Sequence, residues 1–207
     1  LAWALLFGSP EGLPLFSLEL LVLFHFFLAS FGMFLLLRRL GLRTIASATG
    51  GCVFAYTGFV ASRAAVHLTI FFGFVYLPLI ILCFLRAVEG HRVGPALLGG
   101  GLLAVQGVVG HIQPAYHTTV ALAVLAIYLA ITRRTLVPLG TFGIVVGLAL
   151  MLSAVQSTPF LEHFSHAYRW VGPAAPLDPW QSIPWETYGY HELLKPQQLL
   201  TLVVPDA

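Results

Sequence analysis

Long apolar runs closed by arginines constrain this chain more than any other feature. Arg38 and Arg39, with Arg43 just beyond, and then Arg133 and Arg134 stand at the ends of such runs, and almost nothing between the runs is charged. A bilayer core takes roughly 20 apolar residues per helical crossing, and positive residues resist translocation and hold their helix ends on one side. Charged residues are 9% of the chain and apolar residues 58%, with a mean hydropathy of +0.91, whereas a soluble domain carries about 25% charge. The pattern implies an all-α polytopic integral membrane protein and excludes a water-soluble fold.

Six spans can be counted, 15–37, 45–62, 68–85, 93–109, 115–131 and 137–160, so that a transmembrane domain covers 1–160 and an extracytoplasmic irregular segment covers 161–207. The first, third and fifth spans end at Arg38/Arg39/Arg43, Arg86/Arg92 and Arg133/Arg134, seven of the ten basic residues, with Glu89 as the single acid among them. The opposite face carries Arg63, Arg169 and Lys195 against the other seven acids. The positive set is expected in the cytoplasm, which puts both ends of the chain outside it. A pI near 8.7 therefore reports topology, and no nucleic-acid partner is expected. The opening Leu1-Ala2-Trp3 has no initiator methionine, basic n-region or cleavage site, and the chain stops just after a short apolar stretch, so a piece of a longer protein is expected.

The second span, with Ala46, Ser47, Ala48, Gly50, Gly51, Ala55 and Gly58, reads as an interior helix whose small residues let neighbours approach closely. The fourth repeats the device with Gly99, Gly100 and Gly101, and Pro78 in the third predicts a kink unless a neighbour satisfies the freed carbonyl. Cys52 and Cys83 fall at different depths, which argues against a disulfide.

Polar residues collect at the expected outer surface. Arg63 and His67, four apart, share a face if the segment is helical. His111 and Gln113 stand in "GHIQPAYH", with His117 beyond, and Gln156 and Glu162 bracket Pro159 in "AVQSTPFLEH". Taken singly, each is better accounted for as a helix end meeting water, and it is their concentration on one side that points to a site. His25 lies well inside the first span, where an ionisable group is a functional candidate by default, although one histidine makes no proton path and a hydrogen bond to a neighbouring helix accounts for it. Glu19 lies nearer the outer boundary. Trp3 and Trp170 fit interfacial anchors, while Trp180 and Trp185, amid Tyr188 and Tyr190, offer a stacking surface for an apolar sugar face. Asp178, Glu186 and Glu192 lack metal-loop spacing, so neither metal nor cofactor is expected.

The segments "FLASFGMFLLLRRLGLRTIASATGG", "FAYTGFVASRAAVHL", "YLPLIIL", "GHIQPAYH", "SAVQSTPFLEHFSHAYRW" and "LKPQQLLTLVVPD" together resemble the YfhO-type family of bacterial membrane proteins, in the C-type glycosyltransferase superfamily. The resemblance runs along essentially the whole chain. Ile112 departs from it, standing where a proline is usual, and so does Tyr76, standing where a tryptophan is usual. It implies a multi-pass enzyme of the bacterial cytoplasmic membrane that moves a sugar from a polyprenyl-phosphate carrier to a cell-envelope polymer or lipid. It also places the catalytic acid upstream of Leu1, so that the fragment alone is expected to be inactive. From position and charge, Arg63, His67, His111 and Arg169 are then the candidates for the carrier phosphate, with Gln113, Gln156 and Glu162 on the substrate side. A transporter or flippase with its path lined by glycine-rich helices, Pro78 and His25 is the alternative, though no internal repeat supports it. A non-catalytic scaffold is a third.

Overall fold

The computed structural model describes residues 14–164, 166–168 and 181, and the regular structure among them is helical. Eight helices follow in order: α1 Leu15–Arg39, α2 Thr44–Ala55, α3 Gly58–Val66, α4 Leu68–Phe74, α5 Leu77–Gly90, α6 Val93–Val108, α7 Ile112–Arg133 and α8 Val137–Phe164. Among the described residues, four stretches are long and apolar enough to cross a membrane: α1, the 23 residues Leu68–Gly90 that α4 and α5 make together, α7 and α8. The pair α2 and α3, bent by 41°, makes a fifth if it counts as one span. The chain is an all-α polytopic membrane protein.

By length and composition alone this is short of the six crossings expected, and the two glycine-rich segments account for the shortfall. Helix α2 stops at Ala55, and Thr57 starts α3 by accepting the Val60 amide on its hydroxyl at 3.4 Å, a threonine capping bond that competes with continuous helix. Helix α6 has 16 residues, about 24 Å at 1.5 Å per residue, which is less than the hydrocarbon core of about 30 Å.

Two compact units divide the chain at Val155 and Gln156. In the first, one cluster joins Ile80 and Phe84 of α5, Leu103 of α6, Leu122 and Ala126 of α7 and Val145 of α8. A second joins Ala29, Ala55, Val60, Phe71 and Val75, from α1 to the end of α4. The outward faces stay apolar, with Phe27, Val53, Val124 and Ile131 each more than 60% exposed. A helix in water carries its polar residues there, so these faces suit lipid.

Helix α2 is not the interior helix that its composition suggests. It buries only Ser47, Gly51 and Ala55, one stripe four residues apart, and leaves Ile45 83% exposed. The close approach is real but one-sided: a Cβ on Gly51 would stand 2.5 Å from the Ser30 carbonyl oxygen of α1. Small residues set how near a neighbour comes; they do not set how many neighbours there are.

The basic helix ends meet. Glu89 of α5 pairs with Arg39 of α1 and, at 3.5 Å, with Arg133 of α7. The C-terminal ends of α1, α5 and α7 therefore lie together, which requires the α2–α3 pair and α6 to return the chain each time to the other end. The grouping of the three arginine-bearing connections on one face is thus a property of the fold.

Candidate functional site

The end opposite the arginines gathers the sequence-selected cations of the first unit. Arg63 lies in the last turn of α3, and His67, where α3 gives way to α4, donates its backbone N–H to the Arg63 carbonyl at 2.8 Å. The four-residue relation holds through the helix end. His111 precedes α7 as its N-cap residue. Gly110 brings the two segments together: a Cβ there would stand 3.4 Å from the Thr69 methyl, two residues after His67. Gly110 has φ +103°, a left-handed turn that glycine adopts without a Cβ clash.

Two of these side chains hold buried nitrogens with nothing to bond. Arg63 Nε and His111 Nδ1 are shielded and without a hydrogen-bond partner, although buried polar atoms are ordinarily satisfied. The Arg63 guanidinium lies over the Phe59 ring at 5.5 Å, a cation–π contact that orients its plane. His67 is exposed, as are Gln113 and His117. The side chains of Arg63, His67 and His111 make no hydrogen bond to one another, so the structure brings their turns together without joining the groups. In the second unit, Gln156 and Glu162 are exposed on the last turns of α8. Arg169, Trp180 and Trp185 lie outside the described residues.

A second polar locus sits at the junction of α4 and α5. Pro78 falls in the first turn of α5 rather than kinking a continuous span. Proline has no N–H for the carbonyl four residues back, here Phe74, and α4 ends at Phe74. The carbonyl of Gly73 is freed as well, and Gln106 of α6, fully buried, donates its side-chain amide to that oxygen at 2.9 Å. This is how a neighbour repairs a broken ladder where water is absent. The Gln106 Oε1 is left buried without a partner. A Cβ on Gly73 would stand 2.9 Å from the Pro114 ring of α7, so the break is closed by packing. Sequence reading missed Gln106; the available signal was a lone amide inside a glycine-rich apolar segment.

His25 comes to the same junction from α1. Its Nδ1 lies 2.7 Å from the Leu21 carbonyl, which can only accept, so in the neutral ring Nδ1 donates. Nε2 is then the acceptor, 3.5 Å from the Tyr76 hydroxyl. The Phe72 ring covers it with centroids 4.3 Å apart. The sequence expectation of a bond to a neighbouring helix holds only at the outer limit of distance, the stronger bond being within α1. The chain matches no protein-family model, no curated protein and no solved structure.

Proposed function

We propose that the chain is part of a membrane-embedded glycosyltransferase that takes a sugar from a polyprenyl-phosphate carrier and adds it to an extracytoplasmic cell-envelope polymer or lipid. In this reading Arg63 and His111 grip the carrier phosphate, with His67 at the rim, and the arginine-rich end faces the cytoplasm of a bacterial inner membrane. The observation that carries it is the pair of shielded, unpartnered nitrogens, Arg63 Nε and His111 Nδ1, on turns held side by side by Thr69 and Gly110. A phosphate oxygen is an acceptor of the kind each nitrogen lacks, and charge-assisted bonds of this kind are worth about 1.5 to 3 kcal/mol each. The transporter alternative draws less support, because the α4–α5 break that would line a path has its freed carbonyl taken by Gln106 and its open side filled by Pro114.

The test is binding of a fluorescent polyprenyl phosphate to the detergent-solubilised chain. Arg63→Ala should weaken it by roughly tenfold to a hundredfold. Arg63→Lys should recover only part of the loss, since lysine has no planar two-donor fork. Arg43→Ala, at the opposite end, is the control and should leave affinity unchanged. Equal losses in Arg63→Ala and Arg43→Ala would reduce Arg63 to a helix anchor and overturn the reading.

A further inference from the structure

A cleft opens at the arginine-rich end, far along the bundle from Arg63 and His111. Its volume is about 370 Å³, and Arg39, Arg86, Glu89, Gly90, Arg92 and Pro95 line it. That lies within the range of small-ligand pockets. Three arginines face one carboxylate, and the carboxylate is already engaged, by Arg39 and, from outside the cleft, by Arg133. Arg86 and Arg92 have no acidic partner among the described residues.

Local backbone places Arg92 at the cleft, and Arg86 lines it from α5. His91, after α5, adopts φ 48° and ψ 40°, the left-handed region that a residue with a Cβ enters at a cost of about 1 kcal/mol. This turn is pinned by the Arg92 N–H on the Ala87 carbonyl at 3.1 Å. It folds the Arg92 side chain back over Gly90, whose Cβ position would lie 3.4 Å from Arg92 Cγ and Cδ. The first turn of α6 begins at the same place: Arg92 is its N-cap residue, no side chain caps its amides, and Pro95 lines the cleft. Pro95 leaves that turn one N–H short, but the Val93 and Gly94 amides and the positive end of the helix dipole still favour an anion.

We propose that this cleft is a phosphate-binding site, with Arg86 and Arg92 as its principal ligands and Arg39 as a third. Its place at the end of apolar helices makes the headgroup of an anionic phospholipid the first source of that phosphate, since basic pockets between spans take such headgroups. A soluble phosphate monoester presents the same chemistry.

The experiment places the purified chain in phosphatidylcholine nanodiscs doped with spin-labelled phosphatidylglycerol and reads the motionally restricted lipid. Arg86→Gln with Arg92→Gln is compared with Arg43→Gln with Arg134→Gln, which removes the same charge from the same end without touching the cleft lining. The cleft pair should lower the preference for phosphatidylglycerol about tenfold further than the control pair. Arg86→Lys with Arg92→Lys should recover part of it, which also shows that the fold survives. In separate arms, glycerol 3-phosphate and inorganic phosphate are added. Displacement of the restricted lipid assigns the site to soluble phosphate as well, and no displacement assigns it to the lipid. Equal loss in the two glutamine pairs would mean that net charge alone attracts the lipid, and would overturn the proposal. This outcome is independent of polyprenyl phosphate binding at Arg63.

Discussion

Gln106 makes one hydrogen bond and leaves one undone. Its amide nitrogen serves the Gly73 carbonyl, while its oxygen is buried without a donor. Removing the side-chain amide would strand the carbonyl, so Gln106→Leu should destabilise the chain by about 1 to 3 kcal/mol, read as an earlier thermal transition in detergent. Gly73→Ala should destabilise it by a similar amount for a different reason, because the new methyl meets the Pro114 ring, which cannot swing aside. Neither role could be read from the sequence. A glutamine in an apolar run is visible there, but the carbonyl that it serves lies 33 residues away, at the break between α4 and α5. Arg63 and His111 were legible as polar residues at helix ends; that one nitrogen of each is shielded and unpartnered depends on tertiary packing.

Helices α4 and α5 show how one proline is absorbed. Pro78 gives up a ladder bond, the chain turns at Val75 and Tyr76, and three neighbouring helices close on the gap, α1 through His25, α6 through Gln106 and α7 through Pro114. If Gln106 exists to repair the break, the two should be coupled. With Pro78→Ala in place, the Leu77 amide and the new alanine's amide can rejoin the ladder, and Gln106→Leu should then cost at least about 0.5 kcal/mol less than in the parent. Strict additivity of the two substitutions would contradict the repair argument. The sequence showed that a kink or a repair was needed in this span, and the apolar runs and arginine ends gave the helices their approximate limits. It did not show that α2 would be peripheral, because its small residues serve a single neighbour, nor that Thr57 would interrupt the second span by starting a new helix.

At the scale of the first unit as a whole, one meeting point displays the arrangement: Glu89 pairs with Arg39 and Arg133. Partly exposed ion pairs add little stability, about 0 to 1 kcal/mol, so the meeting reports the path of the chain more than it secures it. That path demands that the chain cross from end to end between each pair of joined helix ends, even though α6 is short and the α2–α3 pair is bent. The most direct measurement is labelling of single cysteines in intact cells with a membrane-impermeant maleimide, in a Cys52→Ala, Cys83→Ala background. His67→Cys and Ile112→Cys should be labelled from outside, whereas His91→Cys and Arg134→Cys should be labelled only after the membrane is opened. Labelling of His67→Cys and His91→Cys from the same side would contradict the alternating path on which this account rests.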